Sequence, residues 1–162
     1  MSVRLRQLRE DELPRYRESA QLSYAVSIEQ NGGMPGDLAR EKARRDFEAL
    51  WPDGRPAVDH CVYAVEEAAT VEEAAMGVGY LWLAERDNQG RRVIWIYDIE
   101  IDEQFRGRGL GREAMRLAEQ EARARGVARV ELNVFGGNEV ARSLYRSLGY
   151  EESAVWMGKD LE

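Results

Sequence analysis

The sequence has few of the residues that disulfide frameworks and metal sites need. It contains one cysteine, Cys61, and one histidine, His60, in 162 residues. An intrachain disulfide cannot form, and a structural or catalytic metal is not expected. We expect Cys61 to be a small buried hydrophobic residue. His60 is interpreted as a structural or substrate-cleft residue without an assigned role.

Long apolar runs and a basic excess are also absent. No apolar stretch reaches the length of a signal-peptide core or a membrane span, so we expect a cytoplasmic protein without a membrane partner. Asp and Glu outnumber Lys and Arg by 30 to 23, giving a formal net charge of −7. This balance argues against a nucleic-acid partner, whose phosphates require cationic side chains.

What is present is the composition of a folded domain. Hydrophobic residues make up 44% of the chain and charged residues 33%. The length is sufficient for one core, and no linker or repeat divides the sequence. We therefore expect a single domain over residues 1–162.

Periodic patterns in the first half predict a strand and two helices. Alternation at residues 3–6 is typical of a half-buried strand. Apolar residues at helical spacing predict a helix over 13–28, capped by Asp11 and ended by the glycines at 32 and 33. A second apolar stripe predicts a helix from Asp37 to about residue 50, closed by Pro52.

The second half predicts a sheet with two further helices. Strands are predicted at 60–65, 76–84, 93–101, 128–135 and 150–159, and helices at 110–125 and 138–148. An acidic stretch at 66–73 is interpreted as a solvated hairpin loop, and 86–92 as a turn-rich connection. The order βααβββαβαβ predicts an α/β (α+β) fold, with a mixed, mostly antiparallel sheet flanked by helices.

A glycine-rich turn joins the strand at 93–101 to the helix that follows. It is formed by Arg106-Gly107-Arg108-Gly109-Leu110-Gly111-Arg112. Helix N-termini present unpaired N–H groups and a partial positive charge, glycines allow close backbone approach, and arginines add forked donors. The turn therefore indicates an anion or nucleotide-like ligand, although a tight connection without a ligand explains the composition equally well. A Walker loop is excluded because no Gly-Lys-Ser/Thr ending follows.

Two blocks together resemble the GNAT superfamily of acetyl-CoA-dependent N-acetyltransferases. Arg106, Gly109 and Gly111 match that family's Gln/Arg-x-x-Gly-x-Gly/Ala signature. The second block has the family's strand, its Asn-x-x-Ala-x-x-x-Tyr helix and its Leu-Gly-Tyr ending; it matches at Asn138, Ala141, Tyr145, Leu148, Gly149 and Tyr150. The resemblance is strong over residues 93–150, and the order of elements extends it over the chain.

The resemblance implies where coenzyme A binds. Its pyrophosphate would lie on the backbone amides of Gly107, Arg108, Gly109, Leu110, Gly111 and Arg112, beside Arg106. Its pantetheine arm would lie like an extra strand along Ile99, Glu100 and Ile101, held by backbone hydrogen bonds. Asn138 would lie near this arm, although it is also a good N-cap for its helix.

The resemblance also implies direct attack by an amine in a ternary complex, without a metal. The amide of Ile101 or of a neighbour would stabilise the carbonyl oxygen, and Tyr145 would protonate the departing thiolate, unless it is only a core aromatic. Asn133 stands where many relatives have a glutamate base, and it cannot accept a proton. Glu100 is therefore the first candidate base and Asp98 the second; both carboxylates could equally orient a cationic substrate or be solvated.

The sequence thus predicts an N-acetyltransferase that moves an acetyl group from acetyl-CoA to a primary amine. The acceptor remains open among peptide α-amines, lysines, polyamines and small xenobiotic amines, and so does the oligomeric state. The alternative is a non-catalytic acyl-CoA-binding sensor. The tryptophans are expected mainly in the core or lining a cleft; they are Trp51, Trp82, Trp95 and Trp156.

Overall fold

Five strands and four α-helices build the molecule. A computed structural model describes residues 2–68 and 74–161. The strands are β1 (Ser2–Gln7), β2 (His60–Ala68), β3 (Met76–Asn88), β4 (Arg91–Ile101) and β5 (Val130–Leu132). The helices are α1 (Leu13–Gly32), α2 (Gly36–Leu50), α3 (Leu110–Ala124) and α4 (Glu139–Ser147). None of the helices in these ranges is both long and apolar enough to cross a bilayer.

One sheet of order β1-β2-β3-β4-β5 contains all five strands. The first three pairings are antiparallel, and only β4 and β5 run parallel. A parallel pair needs a crossover connection, and α3 supplies it. The predicted mixed, mostly antiparallel sheet flanked by helices is confirmed.

The two faces of the sheet carry different cores. Leu81 and Leu83 of β3 pack with Met115 of α3 in an aliphatic cluster. Trp82, which lies between them in the strand, packs on the opposite face in an aromatic cluster with residues of α1 and α2, such as Tyr16. Alternation along β3 thus separates an α3 face from an α1 face.

The loops between β2, β3 and β4 are shorter than the sequence predicts. β3 and β4 are joined through Gln89 and Gly90, both at positive φ (56° and 81°), as a type I′ turn requires. The connection predicted at 86–92 is therefore too long, since β3 ends at Asn88 and β4 begins at Arg91. β2 likewise continues into the predicted acidic loop as far as Ala68, while 69–73 lie outside the described residues.

The acidic residues at the end of β2 are buried rather than solvated, which corrects the predicted loop. Glu66 accepts hydrogen bonds from Arg4 and Arg6, and Glu67 accepts one from Arg108. Guanidinium partners offset the cost of taking these carboxylates out of water.

The predicted helix ends are mostly confirmed. Gly33 ends α1 with φ 69°, and α2 stops at Leu50, before Pro52. The predicted cap Asp11 is wrong, because Glu12 occupies the N-cap position and makes no side-chain cap. The Glu12 carboxylate is instead bound to Arg6 and to the amide of Arg9.

The C-terminal third departs most from the predictions. A strand was predicted at 128–135, but β5 has only three residues. A last strand was predicted at 150–159, but residues 151–161 form neither helix nor strand. A strand needs a neighbour for its N–H and C=O groups, and this segment pairs with none in the described part of the chain. Trp156, expected in the core or a cleft, is 99% exposed.

Candidate active site

The end of β4 has an open edge. β5 pairs with β4 only at residues 94–96, whereas β3 pairs with it as far as Ile101. Beyond residue 96, β4 therefore has a strand neighbour on one side only, among the described residues. Ile99, Glu100 and Ile101 lie on this stretch, as the predicted pantetheine contact requires.

The ladder with β3 shows which backbone groups face the open edge. Asp102 N donates to Val78 O at 2.9 Å. These two residues continue the register by one pair beyond Ile101 and Gly79. Because such pairs alternate along antiparallel strands, the N–H groups of Ile99 and Ile101 point away from β3. Arg106 Nε donates to Ile101 O at 2.9 Å from that side, which agrees with this orientation. The backbone of Glu100 points toward β3 instead.

A β-bulge lies where β4 separates from β5. Trp82 pairs with Asp98 and Leu83 with Ile96, so Tyr97 is the extra residue. Bulges bend a strand and redirect its side chains. After the bulge, Asp98 and Glu100 lie opposite Trp82 and Tyr80 on the α1 face, while Ile99 and Ile101 pack on the α3 face.

The glycine-rich turn has the backbone that an anion site needs. Gly109 is the N-cap residue of α3 with φ 81°, and Gly107 has φ 76°. A Cβ at either position would meet no heavy atom within 4 Å. Both glycines are thus required by backbone conformation, and the space above them is open. The turn therefore fits the phosphate-binding role predicted from the sequence.

Three arginines brace this turn to its surroundings. Arg106 bonds to β4, Arg108 Nη2 donates to Glu67 Oε1 at 2.9 Å, and Arg112 Nη2 donates to Ser147 Oγ at 2.7 Å. A guanidinium carries five N–H donors, so Arg106 and Arg112 each have donors beyond the bond described here. The arrangement concentrates positive charge at the start of α3.

Helix α4 meets α3 and β4 beside the open edge. A Cβ on Gly111 would lie 3.4 Å from Leu144 Cδ2 and 3.8 Å from Ile101 Cγ1. The neighbouring Tyr145 packs against the α3-face cluster, 6.0 Å from the ring of Tyr150. Asn138 caps α4, because its Oδ1 accepts a bond from Ala141 N at 3.2 Å. The cap uses the side-chain oxygen, and so Nδ2 is the atom through which Asn138 would contact a cofactor.

Two residues of α1 contact the carboxylates of β4, and sequence reasoning missed both. Tyr16 Oη donates to Asp98 Oδ2 at 2.8 Å, and Ser23 Oγ lies 3.4 Å from Glu100 Oε1. Burial raises the pKa of Asp98 to about 7, which the bond from Tyr16 opposes and the charge of Glu100 reinforces. Helical spacing placed Tyr16 on an inward face but could not show what it contacts.

The charge of Asp98 acts on Tyr145 across the end of β4. Burial and then the negative charge of Asp98 raise the pKa of Tyr145 to about 12. The phenol therefore stays protonated at neutral pH. The Tyr145 ring packs on the α3 face and the Asp98 carboxylate lies on the α1 face, where Tyr16 holds it.

His60 belongs to an aromatic wall on the α1 face. Its Nδ1 accepts a hydrogen bond from Trp82 Nε1 at 2.9 Å, and its ring stacks on Tyr97 at 4.9 Å. Burial lowers the pKa of His60, so the neutral ring is favoured. Cys61 is half-buried beside Arg125 rather than fully buried. Across residues 2–68 and 74–161, no group of three His, Cys, Asp or Glu side chains is placed to hold a metal ion.

Comparisons with known proteins agree with this geometry. A model of the acetyltransferase (GNAT) family matches residues 34–150. The chain is 28% identical over 161 residues, 99% of each chain, to YdgE of Bacillus subtilis strain 168, which is named as an uncharacterized N-acetyltransferase. It is 36% identical over 123 residues to glucosamine 6-phosphate N-acetyltransferase 1 of Oryza sativa subsp. japonica, covering 75% of this chain and 69% of that protein. The crystal structure of the Bacillus subtilis acetyltransferase YycN superposes with a TM-score of 0.87 at 26% identity, over 99% of both chains.

Proposed function

Because the chain belongs to the acetyltransferase (GNAT) family, we propose that it transfers an acetyl group from acetyl-CoA to a primary amine by direct attack in a ternary complex. The observation that carries this proposal is the open edge of β4, which leads directly into the glycine-rich turn at the start of α3. An extended, phosphate-bearing ligand fits both features at once. We also propose that residues 1–162 act as one domain in the cytoplasm.

The proposed cofactor site uses mainly backbone groups. The amides of residues 107–112 would hold the pyrophosphate, with Arg106, Arg108 and Arg112 around it. The N–H groups of Ile99 and Ile101 would hold the pantetheine arm, with Asn138 on the opposite side. Bound there, acetyl-CoA supplies the thioester whose carbonyl carbon is attacked.

The amine must lose a proton to attack, and we propose that the carboxylate pair on β4 receives it. Asp98 is now the favoured base, because its pKa near 7 matches a neutral working pH. Glu100, the first candidate from the sequence, lies two residues along on the same face and would hold the incoming ammonium. Tyr16 would act as a positioning residue that fixes Asp98.

Charge then develops on the carbonyl oxygen and on the thiolate. Of the two N–H groups that face the open edge, those of Ile99 and Ile101, the one at the thioester end of the arm would stabilise the oxygen, and the other would bind the arm. Tyr145 would donate its phenolic proton to the thiolate, and its raised pKa keeps that proton available at neutral pH. Base and acid are thus held by different elements, α1 with β4 on one side and α4 on the other.

Thiol release from acetyl-CoA over an amine panel tests the proposal. The panel contains a peptide α-amine, a lysine peptide, a polyamine, a small aryl-alkyl amine and glucosamine 6-phosphate, which the rice relative's name suggests. We expect at least one amine to give enzyme-dependent thiol release with a matching acetylated product. Binding of coenzyme A without any product over the panel and over pH 6–9 would contradict it.

A further inference from the structure

The two carboxylates at the end of β4 have no cationic partner in the described part of the chain. Asp98 accepts a hydrogen bond from Tyr16, and Glu100 lies beside Ser23. Neither carboxylate is within 4.0 Å of a Lys, Arg or His nitrogen of the described residues. A carboxylate removed from water is normally paired with a positive charge. The missing charge is therefore one that a ligand can supply.

The buried carboxylates of β2 are treated differently. Glu66 is paired with two arginines of β1, and Glu67 with Arg108 at 2.9 Å. Where a carboxylate only supports the fold, the chain thus supplies a guanidinium for it. Asp98 and Glu100 lie on the same sheet without one, within the described residues, as binding groups for a cation would.

The spacing of the two carboxylates suits two cations rather than one. Asp98 and Glu100 lie on one face of β4, and residues two apart on a strand are separated by about 6.5 Å. With bonds of about 1.5 Å, four methylenes in an extended chain separate two terminal nitrogens by about 6 Å. A diamine of this length can therefore place one ammonium at each carboxylate.

Aromatic rings line the space around these carboxylates. The bulge places Tyr97 beside Asp98, and the Tyr97 ring stacks on Trp82 at 4.8 Å. Tyr80 pairs with Glu100 across the strands. Tyr80 and Tyr97 are both half-buried, so part of each ring remains exposed. Ring faces attract cations, and their apolar surface packs well against methylene groups.

The same row of rings already binds one cation of the chain at its far end. Arg86 Cζ lies 4.2 Å from the centre of the Trp95 ring, which is 6.4 Å from the ring of Tyr97. His60 stacks on Tyr97, and burial lowers the pKa of His60, so this ring stays neutral and does not repel a second cation. The end of the row beside Asp98 therefore suits a ligand cation.

Acetyl transfer changes the charge at this site. The reacting nitrogen arrives as an ammonium, loses one proton to Asp98 before it attacks, and loses a second after the N–C bond has formed. As the C–S bond breaks, the thiolate takes a proton from Tyr145, which the second proton from the nitrogen replaces. The nitrogen ends as a neutral amide, so Glu100, which held it on entry, is left without a cation. A second ammonium in the acceptor prevents this.

We propose that the acceptor is an α,ω-diamine or a polyamine with about four methylenes between its nitrogens, an assignment that rests on the proposed acetyl transfer. Asp98 binds the ammonium that is acetylated, Glu100 binds the ammonium that remains, and the rings of Tyr80 and Tyr97 cover the methylenes. The products are coenzyme A and a monoacetylated amine that keeps one positive charge. The same carboxylates would repel the phosphate of an acceptor such as glucosamine 6-phosphate.

Acetyl transfer to two matched amines is the first test. 1,4-Diaminobutane and 4-amino-1-butanol have the same length, but only the diamine has a second ammonium. At saturating acetyl-CoA we expect kcat/KM to be at least about tenfold higher for the diamine, the scale of one hydrogen bond to a charged group. Glu100→Gln should remove most of this preference. Glu85→Gln is the matched control and should keep it, since Glu85 is a strand glutamate that Arg92 already binds at 2.7 Å.

Three results would overturn the assignment. They are equal kcat/KM for the two amines in the parent, a preference that survives in Glu100→Gln, and a higher kcat/KM for glucosamine 6-phosphate than for the diamine.

Binding without turnover separates this assignment from the proposed activity. The two amines are titrated calorimetrically into the parent and into Glu100→Gln, each saturated with coenzyme A, which has no acetyl group to transfer. We expect the parent to bind the diamine at least about tenfold more tightly than the amino alcohol, and Glu100→Gln to bind the two alike. Tighter diamine binding without acetylation of any amine would contradict the proposed activity and still support the diamine site. Equal binding of the two amines by the parent, or no binding of the diamine, overturns the diamine site whatever the activity.

Discussion

The two faces of β4 differ in how they are built. At the open edge, on the α3 side, the proposed cofactor site consists mainly of backbone amides in one continuous stretch, from Ile99 to Arg112. On the α1 face, the proposed acceptor site consists of side chains from distant parts of the chain, such as Tyr16 with Asp98, 82 residues apart. Substitutions in the backbone site should therefore change cofactor affinity, whereas substitutions of the side chains proposed to move protons should change the rate of transfer.

The largest loss of transfer rate is expected when the proposed general base, Asp98, is replaced. Asp98→Asn keeps an oxygen for the Tyr16 hydrogen bond but cannot take a proton, so transfer should slow by about 10³-fold, within the range for general bases. Coenzyme A affinity should be unchanged. Asp46→Asn is the matched control, since Asp46 also accepts a bond from a tyrosine of α1, Tyr24 at 3.0 Å. A near-parental rate for Asp98→Asn with a large loss for Glu100→Gln would assign the base to Glu100.

A smaller loss of transfer rate is expected when the proposed general acid, Tyr145, is replaced. Tyr145→Phe should preserve the fold and coenzyme A affinity and reduce the transfer rate by about 10²-fold, the lower end for losing a general acid. Tyr150→Phe alters the neighbouring ring of the same cluster and should keep the parental rate. Single-turnover rates at saturating acetyl-CoA measure both. Equal rates for Tyr145→Phe and the parent would show that water protonates the thiolate.

A substitution in the proposed cofactor site should change the affinity for coenzyme A. Gly109→Val places a β-branched side chain on the proposed pyrophosphate site and should weaken coenzyme A binding by about tenfold or more, roughly the loss of one charge-assisted hydrogen bond. Gly90→Val is the matched control, because both glycines have φ 81° and open space around a Cβ. The two variants should lose similar stability, of about 1–2 kcal/mol from the left-handed backbone. Equal affinity in both would remove the turn from the cofactor site.

The last effect concerns stability and pH. Burial raises the folded-state pKa of Asp98 to about 7, from its ordinary value of 3.8. Between these values the folded state binds more protons than the unfolded state, so this group lowers stability as pH rises from about 4 to 7. Asp98→Asn should therefore gain stability relative to the parent at pH 8 and much less at pH 4. Denaturant midpoints at both pH values measure this, and an equal difference at both would show that Asp98 is not buried as described.

How well each region could be predicted follows from the same contrast. The turn at 106–112 and the α4 cap were readable because glycine conformations and N-caps depend on neighbouring residues in sequence. The Tyr16–Asp98 hydrogen bond could not be predicted, because helical spacing shows which face of α1 carries Tyr16 but not which residue it contacts. Residues 150–159 have a strand pattern, yet a strand forms only where a neighbour exists, and pattern alone does not supply one. The buried Glu66 and Glu67 were missed for a similar reason, since their arginine partners lie far away in sequence.

Calorimetric titration of coenzyme A into Asp98→Asn and Gly109→Val tests the division between the two faces most directly. Asp98→Asn should bind coenzyme A like the parent, while Gly109→Val should bind it at least about tenfold more weakly than Gly90→Val, the scale of one charge-assisted hydrogen bond. Weakened binding in Asp98→Asn together with parental binding in Gly109→Val would contradict it, because the cofactor would then lie on the α1 face.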